Sequence, residues 1–136
     1  MSIAKATSTV RNYVNGRWIE SQSVQFVDVE NPSTGEVIAR TPLSTVDETS
    51  AAIERADAAY ASWRETPVSQ RVQPLFHLAA LIRENEEPIA RILTREMGKS
   101  LPDSRAEIKR TFQNVEVACG MPVLQQGDKL IGAAAG

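Results

Sequence analysis

Few residues in this 136-residue chain have side chains suited to chemistry, and each admits a plain structural reading. Cys119, the sole cysteine, could act as a nucleophile, because a thiolate attacks carbonyl carbons. It shares a helical face with Ile108, Phe112 and Val115 and has no basic neighbour at helical spacing, so a small buried thiol is expected. The one histidine, His77, lies between Phe76 and Leu78 without an Asn or Asp partner nearby and reads as a partly exposed helix residue. Gly98-Lys99-Ser100 imitates the end of a phosphate-binding loop, but the glycine required five residues earlier is Leu93 and the segment follows a helix. Gly98 is therefore expected to end that helix. Arg105, Glu107, Lys109 and Arg110 form a charged stretch that reads as a solvated face with ion pairs one turn apart. Arg110 differs, since it sits between the apolar positions Ile108 and Phe112, at the edge of a cleft where its planar fork could hold a carboxylate. No residue is assigned a catalytic, cofactor-binding or metal-binding role.

The elements that must position these side chains follow from local pattern. Asn15-Gly16 stands between Tyr13-Val14 and Arg17-Trp18-Ile19, and this dipeptide accepts the positive φ of a tight hairpin. Val24 to Glu30 alternates as a strand, Asn31 to Gly35 supplies a turn, and Glu36 to Thr41 resumes as a strand. Thr45 followed by Glu48 has the form of a capping box and starts a helix to about Arg64, along which Val46, Ile53, Ala56, Tyr60 and Trp63 recur at helical spacing. A second helix is predicted from Pro67 to Met97 with Leu75, Leu78, Ile82, Ile89, Ile92 and Leu93 as its stripe. Pro74 and Pro88 fall inside it, and a kink is expected, with Pro88 the favoured place. Pro102 to Cys119 forms a third helix. Ile53, Tyr60, Leu78, Ile82, Ile108, Phe112 and Val115 are expected to face one core. Residues 1–11 read as a disordered tail, and Met121 to Gly136, without a clear period, as a connection to more protein.

Composition sets the outer bounds. With 42% hydrophobic and 24% charged residues, the length fits one globular domain. Fifteen basic against seventeen acidic side chains leave a net charge of -2, which favours neither nucleic acid nor an anionic membrane. One cysteine forms neither an internal disulfide nor a cysteine zinc site and fits a reducing compartment. No stretch approaches the roughly 20 apolar residues of a membrane span. The first residues lack the apolar centre of a secretory signal and the arginines of a mitochondrial one, so a soluble cytoplasmic protein is expected.

Four segments occur in the order found at the start of the aldehyde dehydrogenase superfamily: YVNGRW, NPSTGEVIA, SWRETPVSQR and REMGKSLPDS. The chain resembles that superfamily over nearly its whole length from Asn12. The stretch AEIKRTFQNVEVACGMPVLQQGD is most similar to the acylating methylmalonate-semialdehyde dehydrogenases, in the arrangement Arg110, Asn114, Val115-Glu116, Ala118-Cys119 and Gly127-Asp128. Members of that group carry an arginine on this helix that meets the substrate's carboxylate, and Arg110 occupies its place.

The resemblance implies an α/β fold: the amino-terminal portion of an aldehyde dehydrogenase NAD-binding domain, β-hairpins followed by three helices, incomplete over 12–136. It implies an enzyme that oxidises malonate or methylmalonate semialdehyde with NAD and passes the acyl group from a cysteine thioester to coenzyme A with loss of carbon dioxide, as a homo-oligomer. A thioester allows hydride removal and acyl transfer in sequence at one site, with donors aimed at the oxyanion. The family's FNFP segment with its oxyanion asparagine, its glycine-rich dinucleotide turn and its GQ-x-C nucleophile loop have no counterpart in these 136 residues, which are expected to be inactive alone. Pro74 and His77 depart from the helix formers usual at those places. Two alternatives stand beside this reading: part of a non-acylating semialdehyde dehydrogenase, for instance one acting on succinate semialdehyde, or a truncated chain that is an assembly module or has no function.

Overall fold

A computed structural model describes residues 8–128. Two separate antiparallel hairpins open the chain. In the first, β1 (Asn12–Val14) pairs with β2 (Arg17–Ile19) in the register Tyr13 opposite Trp18. Asn15 at φ 51° and Gly16 at φ 74° make the turn, as the Asn-Gly pair requires. The rings of Tyr13 and Trp18 stand 4.9 Å apart, a cross-strand aromatic pair. The second hairpin joins β3 (Phe26–Asn31) to β4 (Glu36–Pro42), with a bulge between Val29 and Glu30. Asn31 closes its turn: its side-chain oxygen accepts from the Ser33 amide at 3.0 Å and its carbonyl from the Gly35 amide at 2.8 Å.

Ser8 to Val10 belong with this hairpin and not with a disordered tail. The Val10 amide donates to the Arg40 carbonyl at 2.8 Å, and the Arg40 amide to the Ser8 carbonyl at 3.0 Å, a parallel bridge at Thr9. The free edge of β4 offers unpaired backbone groups, and the preceding chain takes them. Of the rest of the expected tail, Arg11 directly precedes the first hairpin, and residues 1–7 lie outside the described residues.

Helix α1 (Val46–Trp63) starts where the capping box places it. The Thr45 hydroxyl accepts from the Glu48 amide at 3.2 Å, and the Glu48 carboxylate accepts from the Thr45 amide at 2.9 Å. The expected long second helix is instead three: α2 (Val68–Arg71), α3 (Gln73–Glu84) and α4 (Glu86–Met97). Proline explains both breaks. Pro74 and Pro88 each lack the amide that would bond four residues back, and their rings crowd that carbonyl, so each is tolerated only in a helix's first turn. The chain restarts a helix just before each of them. The favoured kink at Pro88 is a full break three residues earlier, at Asn85, whose side-chain amide donates to the Leu81 carbonyl at 2.8 Å. Helix α5 (Leu101–Cys119) follows, and α6 (Met121–Leu124) adds a single turn where an irregular connection was expected. Residues 129–136 of that connection are outside the described residues.

Both α3 and α4 pack on α5. The side chains buried in this helical part are small or slender: Val72, Ala79, Ala90, Ile108 and the polar Ser104. Small residues on facing helices let the axes approach closely. Of the side chains expected in one core, Ile108 is buried and Ile82, Phe112 and Val115 are half-buried. Ile53 and Tyr60 are exposed, because α1 makes no extensive contact with the α3–α5 cluster, and Leu78 of α3 is exposed as well.

Candidate functional site

Helix α5 carries the candidate residue, and its start is fixed by side-chain chemistry. The Ser100 hydroxyl accepts from the Asp103 amide at 3.2 Å, and Pro102 and Asp103 occupy the first turn, where a missing donor costs nothing and a negative charge meets the positive end of the helix. Gly98, the preceding helix's C-cap, adopts φ 71°. Lys99 pairs with Glu107. The Gly98-Lys99-Ser100 string is thus a cap, an ion pair and an N-cap.

The ion pairs of the charged stretch reach outside α5, Glu107 to Lys99 in the preceding turn and Arg105 to α4, and do not run along one helix. Arg105 forks onto Glu87 of α4 at 2.8 and 3.0 Å, and Arg91 reaches the same carboxylate at 2.6 Å. The hydrogen bond from Arg105, followed by its charge and that of Arg91, holds the Glu87 carboxyl below its ordinary value, and the same bond raises Arg105. Below this exposed fork, the hydroxyls of Thr94 and Ser104 meet at 2.8 Å inside the α4–α5 seam.

Between α3 and α5 runs a shallow groove divided by Arg83, whose guanidinium covers the Phe112 ring at 4.4 Å from its centroid, with Glu116 at 4.0 Å. One end, a cavity of about 360 Å³, is lined by Ile82, Ile108 and Lys109; the other, about 380 Å³, by Phe76, Ala79 and Cys119. Cys119 is half-buried in that wall, where a small buried thiol was expected. His77 is exposed on α3. Arg110 is exposed as well, does not line this groove, and makes no ion pair with another described residue. The structure therefore separates Arg110 from Cys119 and His77.

Two contributors escaped the sequence reading. Ser104 stands four residues before Ile108 on the same stripe, and a hydroxyl at a seam position was the available signal. Glu48, read only as a capping residue, also accepts from the Ser21 hydroxyl at 2.8 Å and the Gln22 amide at 2.7 Å, so it ties the segment after β2 to α1.

No group of three or more His, Cys, Asp or Glu among the described residues is arranged to hold a metal ion, and no helix is long and apolar enough to cross a membrane. The positive-φ glycines Gly16, Gly35, Gly98 and Gly127 lie in hairpin turns, at a helix end and after α6, and none joins a strand to a helix as a dinucleotide-binding turn must. The described residues do not by themselves fit an NAD phosphate site.

Residues 18–135 match the Aldehyde dehydrogenase family. The chain belongs to this family. It is 44% identical over 121 residues to malonate-semialdehyde dehydrogenase 1 of Shouchella clausii, a match covering 89% of the chain and 25% of that protein. It is 42% identical over 132 residues to malonate-semialdehyde dehydrogenase 2 of Bacillus mycoides, covering 97% and 27%. Among solved structures, a protein of Sinorhizobium meliloti 1021 described as a methylmalonate-semialdehyde dehydrogenase, complexed with NAD, superposes with a TM-score of 0.84 at 28% identity over 96% of this chain and 26% of that one. The aldehyde dehydrogenase chain described here thus spans about a quarter of the length of the relatives it matches.

Proposed function

We propose that these residues form the opening quarter of an NAD-dependent, coenzyme A-acylating malonate- or methylmalonate-semialdehyde dehydrogenase subunit, in which Arg110 receives the substrate's carboxylate. The identity of 42–44% to proteins named malonate-semialdehyde dehydrogenase carries this reading. An exposed arginine without an acidic partner among the described residues supports it, because its five donors remain available to a planar anion. By holding the carboxylate, Arg110 would orient the aldehyde end of the substrate toward groups supplied by the rest of the subunit. NAD and coenzyme A would be bound by that remainder. The same reading carries a cytoplasmic homo-oligomer, and it holds the 136-residue polypeptide to be inactive alone.

The test has two arms. The 136-residue polypeptide, supplied with malonate semialdehyde, NAD and coenzyme A, should form no NADH above a blank. In a complete subunit carrying this segment, for instance the S. clausii relative with its matching quarter replaced, Arg110→Ala should weaken use of the semialdehyde far more than use of a neutral aldehyde of similar size. A charge-assisted contact contributes about 1.5–3 kcal/mol, so the preference should fall roughly ten- to a hundred-fold. Arg110→Lys should restore part of it, keeping the charge and losing the fork. Equal losses for both aldehydes would assign Arg110 to helix packing instead.

A further inference from the structure

Arg110 recognises a carboxylate only if α5 presents it at a fixed angle, and the seam behind it contains one contact able to fix that angle. Ser104 is 0% exposed, and its hydroxyl lies 2.8 Å from that of Thr94 on α4. Beside the pair, Ala90 is also 0% exposed and Ile108 is 8% exposed. Apolar contacts are non-directional and tolerate a small rotation of one helix against the other. A hydroxyl pair whose Ser104 member is fully buried does not, because turning α5 would take the Ser104 hydroxyl off its partner where water does not reach. The fork of Arg105 on Glu87 between α4 and α5, and the pair of Lys99 in the intervening turn with Glu107 of α5, join partly solvated side chains and constrain the helices weakly.

Arg110 follows Ser104 by six positions, which places it about 120° around the helix from the pair, off the packed seam. A rotation of about 20° would move a side-chain tip about 6 Å from the helix axis by about 2 Å, several times the range over which a hydrogen bond keeps its strength. We propose that the Thr94–Ser104 pair is a positioning device for Arg110 and sets how sharply the enzyme separates carboxylate-bearing from neutral aldehydes. This rests on the reading of Arg110 given above.

The test uses the complete subunit and two substitutions at Thr94. Thr94→Val keeps the shape and removes the hydroxyl, while Thr94→Ser keeps the hydroxyl. The valine variant should lower the preference for malonate semialdehyde over a neutral aldehyde about three- to tenfold, through KM for the semialdehyde, with kcat for the neutral aldehyde within about twofold of the parent. The serine variant should retain the preference, and Ser104→Ala should follow the valine variant. An unchanged preference in Thr94→Val, or equal losses for both aldehydes, would overturn the proposal. Arg110→Ala assayed in parallel separates the two failures. If it abolishes the preference and Thr94→Val does not, the positioning role falls and the carboxylate reading stands; if it leaves the preference intact, both fall.

Discussion

Along α1 and along the α3–α5 cluster, apolar residues recur with the same helical period, yet the two regions end in opposite environments. In the cluster, Ala79, Ala90 and Ile108 are buried on α3, α4 and α5, and Val72 is buried just before α3. On α1, Ile53 is 64%, Tyr60 56% and Trp63 47% exposed, and no residue is buried. Helix α1 holds its shape by local means: a capping box, acidic Asp47 and Glu48 in the first turn, and alanines at 51, 52, 56, 58, 59 and 61. Its attachment is polar, running through Glu48 to Ser21 and Gln22. The difference teaches that a periodic stripe reports readiness to be buried, whereas burial itself needs a partner surface.

The strongest way to break this contrast is a matched pair of truncations. Ile108→Ala should destabilise the chain by about 2–5 kcal/mol, since it empties a packed site. Ile53→Ala should stay within about 0.5 kcal/mol, since its side chain already meets solvent. Urea unfolding of both variants decides it, and equal losses would mean that α1 is packed after all.

A smaller effect sharpens the boundary between the regions. The second hairpin belongs with the cluster, because the Ser33 hydroxyl donates to the Gly98 carbonyl at 3.2 Å and Arg95 reaches Glu36 at 3.1 Å. A Cβ on Gly98 would sit 2.8 Å from both Pro32 Cγ and Ser33 Oγ, at a φ of 71°. Gly98→Ala should therefore cost about 1–3 kcal/mol and raise amide exchange in β3 and β4 while leaving β1 and β2 unchanged. Faster exchange in the first hairpin instead would place the boundary elsewhere.

What was legible in the sequence was local. Thr45 with Glu48, Pro102 with Asp103, and Asn15-Gly16 each carry their own geometry, and each element starts or turns within a residue of where they place it. The two breaks in the long second helix were less legible. Its apolar stripe from Leu75 to Leu93 resumes in step beyond Asn85, so periodicity argued for one helix, and the missing amides of the prolines prevailed. The buried seam was hidden for another reason: alanine and serine carry almost no hydrophobic signal, and their burial follows from how closely the helices approach. Arg110 entered through its spacing and a family resemblance, whereas its exposure follows from the phase at which Ile108 and Ser104 dock α5.

The subtlest test of the contrast is acid, because each region contains a carboxylate held below its ordinary value of 4.5. For Glu48 the leading cause is the hydrogen bond from the Gln22 amide, and for Glu87 it is the hydrogen bond from Arg105. A carboxyl whose folded value is depressed contributes stability that is fully present above the unfolded value and lost as pH falls through the folded one. Both contributions should therefore persist at neutral pH and fade below about pH 4.5. The consequences should differ. Protonating Glu87 loosens a solvated fork above a seam that Ile108 and the Thr94–Ser104 pair still hold, whereas protonating Glu48 weakens the polar attachment of a helix that buries nothing. On acid titration, the amide resonances of Gln22, Glu48 and Ala51 should shift at higher pH than those of Ser104 and Ile108. Glu48→Gln keeps an acceptor for the Thr45 amide, so α1 should remain helical at pH 7 while the early acid step disappears. Glu87→Gln should leave that step in place. A single transition shared by α1 and α5, unaffected by Glu48→Gln, would show that the two regions unfold as one unit and that α1 is held by more than its polar tether.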